Sequence, residues 1–338
     1  IKIISIILIL QSGLRNVAVG ADTYAYFLKF EDVKIMSWLD IYASTLDFYK
    51  FGIGKNPGYL AYQKVIQLFT LEYQIFLMIV AVIFFSALGN FIYKNTTRLI
   101  DVIIAFIIYS VLFFEFFSIT GTRQTLVTAA TLYGFELIKK RKMIQFFTII
   151  LLASTIHKSV LVFLPFYFIA NISKTKLLYI LALILFPFFI INRFLISAYL
   201  KVQAGYENYE VYEGAGTFTF TILFLLISLG AMLRIKIIVK NNSFAKYYYN
   251  AFTIALILIP LTWVNPSAMR VVQYFSIFML LLIPEIIFSF RTISFKVQRD
   301  VSISVIIILI GLFIKSKWGD IIPYGFFWEE MRLPENYF

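Results

Sequence analysis

The chain has 338 residues, of which 61% are hydrophobic, and it carries a formal net charge of +12. Soluble domains are typically only about 45–50% apolar, so a lone soluble globule is excluded. The apolar runs are continuous, as in residues 302–313, whereas strands of an outer-membrane barrel alternate apolar and polar residues, so that class is excluded as well.

The counts of metal-binding residue types exclude two further classes of site. The chain contains no cysteine and a single histidine, His157, so thiolate metal sites and multi-histidine centres are impossible. The basic residues cluster in short connections, which is typical of the cytoplasmic loops of a membrane protein, so no nucleic-acid partner is expected. The composition predicts an all-α polytopic membrane helix bundle with about ten to eleven membrane-embedded helices.

In chain order, residues 1–10 are predicted to be the end of a first helix. Residues 12–71 are predicted to form a long external loop of mixed polar and apolar composition. Breaks fall at Gly52-Ile53-Gly54 and at Asn56-Pro57-Gly58. Apolar segments then predict membrane spans near residues 72–93, 99–119, 123–138, 177–199, 218–233, 247–264, 270–290 and 301–314. The loop 200–217 and the tail 315–338 are predicted to be external. We expect one integral membrane domain over residues 1–338.

The basic clusters predict the orientation of the chain, because cytoplasmic loops carry an excess of Lys and Arg. One cluster is Lys139-Lys140-Arg141-Lys142 and another is Lys174 with Lys176. Placing both in the cytoplasm requires residues 143–170 to form a helical hairpin that turns at His157-Lys158-Ser159. The alternative, one tilted helix of 28 residues, violates the charge rule on one side.

Several ionisable residues on different segments are predicted to share one outer layer of the membrane. At 1.5 Å per residue, Glu115 lies about 24 Å, His157 about 21 Å and Arg193 about 25 Å above the cytoplasmic start of its segment. Arg123 and Arg270 each begin a helix at the outer surface. Ionisable residues at membrane depth are functional candidates.

The two outer arginines, Arg123 and Arg270, favour an anionic ligand, since guanidinium groups bind phosphate or carboxylate in a bidentate manner. The alternative is that they reach toward lipid headgroups or pair with Glu115 and Asp22. His157 alone is more typical of a packing residue, and Ser159 is not expected to form a triad with it, because neighbours on a helix do not face each other.

At these residues the sequence resembles a known family. The stretch GADTYAY at residues 20–26 with Arg15 before it, GTRQ at 121–124 and LASTIHKS at 152–159 resemble the motifs of the EpsG family of Wzy-like polysaccharide polymerases. Arg270 with Tyr274-Phe275, and Pro323-Tyr324, resemble its C-terminal features. One departure is Asn56-Pro57-Gly58-Tyr59, where the family pattern has an acid before the proline.

The resemblance implies a GT-C-like fold and metal-independent glycosyl transfer without a cofactor. It implies joining of oligosaccharide repeat units carried on polyprenyl pyrophosphate, at the outer face of the bacterial cytoplasmic membrane. Donor and acceptor lipids and membrane lipid are the expected partners, with a flippase and a chain-length regulator as further candidates. The alternatives are a transporter or flippase of lipid-linked saccharides, and a membrane-bound acyltransferase with His157 as base.

The resemblance and the arginine layer together assign candidate roles. Asp22 is the first candidate for the base, and Glu115 or His157 would replace it. The candidates for contact with pyrophosphate are Arg15, Arg123, Arg270 and Arg193. The candidates for other substrate contacts are Thr23, Gln124, Lys158, Tyr274 and Tyr324.

Overall fold

The computed structural model describes residues 1–20, 22–54, 56–204, 217–317 and 324–331. This part of the chain is almost entirely helical, which confirms the all-α prediction. It forms two compact units. The first comprises Ile1–Lys94, Phe106–Leu161 and the described residues of Ile308–Phe338, and the second comprises Asn95–Ala105 and Val162–Ile307.

The helices up to residue 156 are α1 (Lys2–Gly13), α2 (Thr23–Ile35), α3 (Trp38–Phe51), α4 (Pro57–Gln67), α5 (Tyr73–Asn95), α6 (Leu99–Leu112), a π-helix (Glu115–Thr120), α7 (Thr122–Lys139) and α8 (Met143–Ile156). The later helices are α9 (Phe166–Ile169), α10 (Thr175–Ile191), α11 (Arg193–Ala204), α12 (Thr217–Asn241), α13 (Ala245–Leu258), α14 (Met269–Ser276), α15 (Met279–Ser289) and α16 (Phe295–Lys317). Short 3₁₀ helices cover Lys158–Phe163, Ile259–Trp263, Pro266–Ala268 and Phe290–Thr292.

The structure is that of a polytopic helical membrane protein. Among the described residues, three helices, Tyr73–Asn95, Phe218–Asn241 and Phe295–Lys315, are long and apolar enough to cross a bilayer by themselves. Two bent helix pairs bring the number to five if each pair is one span. The larger number of membrane-embedded helices expected from composition, the GT-C-like arrangement and the single domain remain predictions.

Two predicted continuous spans are interrupted. The prediction of one continuous helix over residues 177–199 was wrong. Helices α10 and α11 meet at an angle of 83° at Asn192. There the Asn192 side chain and the Arg193 guanidinium donate to the carbonyls of Phe188 and Ile190, which end the helix. Arg193 therefore begins a new helix, and the height estimated for it along a straight span does not apply. The span 270–290 consists of α14 and α15, bent by 49°.

The break predicted inside residues 143–170 is present. Helix α8 ends at Ile156, and His157 adopts an extended conformation with φ −153° and ψ 110° before the next helical residues begin at Lys158. The direction in which the chain continues after this break stays a prediction.

The first loop of the sequence analysis, residues 12–71, is more ordered than its mixed composition indicates, because it contains α2, α3 and α4. Ser37 and Asp40 form a reciprocal capping box at the start of α3. Helix α3 ends at Gly52, whose φ of +70° favours glycine, so the predicted break falls there. Aromatic residues of α2, α4 and α5, including Phe30, Tyr59 and Phe76, pack into one buried cluster.

Candidate functional site

The π-helix organises the first unit. It widens the backbone turn, and Gly121 N–H donates to the carbonyl of Phe116, five residues earlier, at 2.8 Å. Three successive carbonyl oxygens at its end accept side-chain hydroxyl groups instead. The pairs are Thr125 with Phe117 at 2.8 Å, Ser12 with Ser118 at 2.6 Å and Thr23 with Ile119 at 3.1 Å. The last turn of α1, the start of α2 and the start of α7 are therefore fixed to one point.

Asp22 is positioned by this anchor. Gly20 has a φ of +94°, and a Cβ there would lie 2.5 Å from Ile119 Cγ2, so only glycine lets the chain approach the π-helix this closely. Thr23 is fully buried and bonded to Ile119, and Asp22 between them occupies the N-cap position of α2, where it is half-buried. The carboxylate of Asp22 interacts electrostatically with Arg123.

Arg123 lies in the first turn of α7, which has no side-chain cap and where the helix dipole favours an anion. Its Nε donates to the Tyr26 hydroxyl at 3.3 Å, and its guanidinium carbon lies 5.4 Å from the Tyr26 ring centre and 6.0 Å from that of Tyr59. The preceding hydroxyl, that of Thr122, is buried and has no hydrogen-bond partner in the described part of the chain.

Asn56 joins Arg123 to α8. With the amide oriented by its neighbours, its oxygen accepts a hydrogen bond from Arg123 Nη1 and its nitrogen donates to the Ile156 carbonyl at 3.2 Å. The left-handed backbone of Asn56, with φ +53°, precedes Pro57 at the start of α4. Next to it, a Cβ on Gly58 would lie 2.0 Å from Thr155 Oγ1, so the glycine allows α4 to touch the end of α8.

His157 and Ser159 are paired, contrary to the expectation from helical spacing. Since His157 is extended and not helical, the Ser159 hydroxyl reaches its Nδ1 at 2.7 Å, and the Ser159 N–H donates to the same nitrogen at 3.3 Å. In a neutral ring the proton is therefore on Nε2. Ser159 Oγ also lies 3.5 Å from Gln124 Oε1. His157 is 5% exposed, and it is linked in this way to the residue that follows Arg123.

Arg15 is buried to 4% exposure on the same unit. Its Nη1 donates to the Ser12 carbonyl, and its Nε has no hydrogen-bond partner among the described residues. Burial lowers the pKa of this guanidinium, against the influence of the nearby Tyr73, Tyr324 and Tyr59 hydroxyls. Arg15 is thus placed among phenols and not at the surface.

The described part of the tail lies beside Arg15. An isolated antiparallel bridge joins Arg15 and Phe326, and the Tyr324 hydroxyl donates to the Gln11 carbonyl. Burial raises the pKa of Tyr324, while Arg15 acts to lower it. Both residues are candidates for substrate contacts, and the structure brings them together.

Tyr59 lies within the electrostatic reach of both arginines. Its hydroxyl is buried without a partner in the described chain, and so are the Tyr62 hydroxyl and both polar atoms of Gln63, each about one turn of α4 away. Burial raises the pKa of Tyr59 well above its usual range, and the Tyr73 and Tyr26 hydroxyls add to this, whereas Arg123 lowers it. Buried polar groups are nearly always hydrogen-bonded, so this group of atoms is suited to water or a polar ligand.

Two of the remaining candidates on the first unit contact solvent. Lys158 is exposed, and its Nζ lies 4.2 Å from the centre of the Phe48 ring on α3. Glu115 begins the π-helix with an exposed side chain. Glu115 forms no ion pair with Arg123 within the described residues, so the alternative in which Arg123 pairs with Glu115 finds no support there.

The remaining candidate residues, Arg193, Arg270 and Tyr274, lie on helices of the second unit. Arg193 begins α11 and stacks on Phe194, with its guanidinium carbon 4.5 Å from the ring centre. Arg270 is half-buried in the first turn of α14, as predicted for a helix start, and Tyr274 is fully buried one turn later. Residues 205–216 of the loop 200–217 lie outside the described residues, as does most of the tail.

Four residues of the site were not identified from the sequence as contributors: Tyr26, Asn56, Tyr59 and Ser159. Asn56 and Tyr59 belong to the stretch that departs from the family pattern, and this departure was the available signal. Tyr26 lies one helical turn after Asp22, so its spacing places both on one face of α2.

No curated protein sequence and no solved protein structure is detectably similar to the chain. Residues 1–326 match the EpsG family, so the match includes every segment of the site just described. Family membership supports a role in polysaccharide biosynthesis. The chain belongs to the EpsG family.

Proposed function

We propose that this membrane protein is a glycosyltransferase that joins oligosaccharide repeat units carried on polyprenyl pyrophosphate. The transfer would take place at the outer face of the bacterial cytoplasmic membrane. One observation carries this proposal. Arg123 lies at a helix N-terminus beside the Tyr26 hydroxyl, with the Asp22 carboxylate and the hydrogen-bonded residues His157 and Ser159 nearby.

The proposed leaving-group site is the first turn of α7. A pyrophosphate released there would accept from the free N–H groups of the helix, from the Thr122 hydroxyl and from the Arg123 guanidinium. A fixed cation that faces the developing charge stabilises the transition state more than the ground state. Arg15, Arg193 and Arg270 are further candidates for contact with the anion.

In the proposed reaction, an acceptor hydroxyl attacks the anomeric carbon of the donor. The new C–O bond forms as the bond to pyrophosphate breaks, and the leaving group takes the electron pair. The acceptor proton passes to a base of the protein.

The base is proposed to be Asp22 or His157. Asp22 lies beside Arg123 and interacts with it electrostatically, so its carboxylate is next to the proposed leaving-group site. His157 Nδ1 is hydrogen-bonded to the Ser159 N–H and to the Ser159 hydroxyl at 2.7 Å, so the imidazole would receive the proton through that hydroxyl. Glu115 is the third candidate. Its side chain is exposed at the start of the π-helix and forms no ion pair with Arg123 in the described chain.

The proposed substrates are a lipid-linked growing glycan as donor and a lipid-linked single repeat as acceptor. Thr23, Gln124, Lys158, Tyr274 and Tyr324 remain candidates for contacts to them. Thr23 and Gln124 are buried. Thr23 anchors the chain next to Asp22, and Gln124 lies beside the Ser159 hydroxyl, so Thr23 and Gln124 are better suited to positioning Asp22 and Ser159 than to contacting the substrate. A flippase and a chain-length regulator are proposed as cellular partners.

The test is Arg123→Lys in the full-length protein, reconstituted with lipid-linked repeats and assayed for a ladder of polymer. Lysine keeps the charge but not the two-pronged hydrogen-bonding geometry, so the rate should fall roughly 30- to 1,000-fold. The control is Arg299→Lys, at a side chain that is 57% exposed and pairs with Asp300. This variant should leave the rate unchanged.

In cells, the Arg123→Lys variant should accumulate surface glycan with a single repeat unit while the protein stays at normal abundance. A loss of all surface glycan would instead indicate a flippase. Polymer of normal yield and length from the lysine variant would refute the leaving-group role.

A further inference from the structure

The second unit contains a basic groove that the proposed reaction does not use. It has a volume of about 560 Å³ and lies between the N-terminus of α10 and the last turns of α12. Lys174, Lys176 and Lys236 line it, and all three side chains are exposed. Lys174 and Lys176 lie at the start of α10 and Lys236 lies in α12, so the fold brings lysines that are about 60 residues apart in the sequence to one opening.

The lysines of the groove carry uncompensated charge. In the part of the chain that the structure describes, none of the three forms an ion pair with a carboxylate within 4 Å. Three cations in one concave surface raise the local positive potential and attract an anion.

The backbone and one hydroxyl favour an anion at the same place. Helix α10 is 17 residues long and begins at Thr175 with no side-chain cap, so its first N–H groups and its dipole are directed to the groove end. Thr175 itself lines the groove and is 3% exposed. Its hydroxyl oxygen has no hydrogen-bond partner within the described residues, which is rare for a buried polar atom.

The remaining wall of the groove is apolar. Leu177, Ile180, Ile235 and Val239 line it, and Leu177 is 61% exposed. Leu181, one turn after Leu177 on α10, is exposed as well. An apolar strip that starts at a cluster of cations matches a molecule with an anionic head and a hydrocarbon chain.

We propose that this groove binds the phosphate of an anionic phospholipid, with one acyl chain along Leu177 and Ile180. The phosphate oxygens accept hydrogen bonds from the Thr175 hydroxyl and the α10 N-terminus, and the three lysines surround the headgroup. Basic pockets between membrane helices are suited to such headgroups. The proposal does not depend on the glycosyl-transfer function.

The test is native mass spectrometry of the full-length protein purified in a neutral detergent with phosphatidylglycerol added. The site variant combines Lys174→Gln, Lys176→Gln and Lys236→Gln. The matched control combines Lys94→Gln, Lys140→Gln and Lys296→Gln, which removes the same charge from exposed lysines outside the groove.

The site variant should lose bound phosphatidylglycerol by about tenfold or more, since each lysine near an anionic headgroup contributes about fivefold. The control should retain it. Thr175→Val should weaken binding about threefold or more without a change of charge. Equal losses in the site and control variants would show attraction by net charge alone and would overturn the site.

Two further measurements distinguish a lipid from a soluble anion. Phosphatidylcholine should not replace phosphatidylglycerol, and millimolar inorganic phosphate should not displace it, because neither combines net negative charge with an acyl chain. Displacement by inorganic phosphate would show a free-anion site and would refute the lipid assignment.

Discussion

Arg123 and Asn56 are directly hydrogen-bonded, and the Asn56 amide is at the same time bonded to the carbonyl of Ile156, the residue before His157. One side chain from the start of α4 therefore connects the proposed leaving-group site on α7 to the break after α8. The position is the one where the family pattern has an acid, so the departure from that pattern lies at the centre of the site.

Asn56→Ala should lower the polymerisation rate about 5- to 30-fold, because Arg123 loses the acceptor that orients its guanidinium. Asn56→Asp keeps an acceptor toward Arg123 and should retain more activity than Asn56→Ala. The measurement is the rate of ladder formation at equal protein abundance. Equal activity in all three proteins would show that Asn56 does not position Arg123.

Tyr59→Phe separates a structural role from a role in binding. The Tyr59 hydroxyl is buried without a protein partner, so its removal should leave thermal stability unchanged or raise it by up to about 1 kcal/mol. If the hydroxyl contacts the substrate, activity should nevertheless fall severalfold.

The control for Tyr59 is Tyr109→Phe. The Tyr109 hydroxyl is hydrogen-bonded to Ser118 Oγ at 2.8 Å, so this variant should lose about 1 kcal/mol of stability. Thermal unfolding in detergent measures both variants. A Tyr59→Phe protein that is destabilised as much as Tyr109→Phe would indicate a hydrogen bond that the hydroxyl makes in the fold.

The pH dependence of kcat/KM distinguishes the two candidate bases. A histidine base accepts a proton only in its deprotonated form, so activity should rise with pH as the imidazole loses its proton. This rise should vanish in His157→Gln, which also should be slower, and persist in Asp22→Asn. The opposite pattern, with Asp22→Asn inactive and the profile of His157→Gln unchanged, would assign the base to Asp22.

Gly58→Ala should displace α4 from α8. A Cβ at this position would lie 2.5 Å from Thr155 Cβ and 2.8 Å from its carbonyl carbon, so rigid atoms would have to move. We expect a loss of about 1–3 kcal/mol in stability and a loss of activity through Asn56. Gly311→Ala in α16, where a Cβ meets no atom within 4 Å, is the control and should be neutral or slightly stabilising. A fully stable and active Gly58→Ala protein would show that the contact is not needed.

The orientation of the chain is testable by single cysteines, since the native sequence has none. Arg141→Cys, Lys174→Cys, Lys240→Cys and Lys296→Cys should resist an impermeant thiol reagent in intact cells, and Asp47→Cys should react. Labelling at residue 174 or 240 from outside would contradict the predicted hairpin at 143–170.

The sequence predicted the helical class, the start of α7 before Arg123 and the break at His157, because continuous apolar runs and a polar interruption are local signals. It did not predict the pairing of His157 with Ser159, since this depends on the extended backbone at one residue. The clusters around Arg15 and Arg123 join segments up to about 300 residues apart, and no local pattern encodes such contacts. Pairing of Asp22 with Arg123 was one alternative from the sequence, because both were predicted to lie in the outer layer of the membrane, and the structure shows an electrostatic interaction between them.

The π-helix has a consequence for how this chain can be recombined with others. Each residue added to or removed from a helix turns everything after it by about 100°, and the π-turn contains more residues per turn than an α-helix. The direction of Arg123 therefore depends on the complete stretch Glu115–Thr120 and on the three hydroxyls bound at its end. In a chimaera, crossover points before Leu99 or after Lys139 would preserve that direction only if Ser12 and Thr23 are retained, whereas a one-residue deletion inside the π-helix would turn the guanidinium away from Tyr26 and Asn56. For protein engineering, the segment 99–139 should therefore be exchanged whole, into a chain that supplies the hydroxyls of residues 12 and 23, or be left in place.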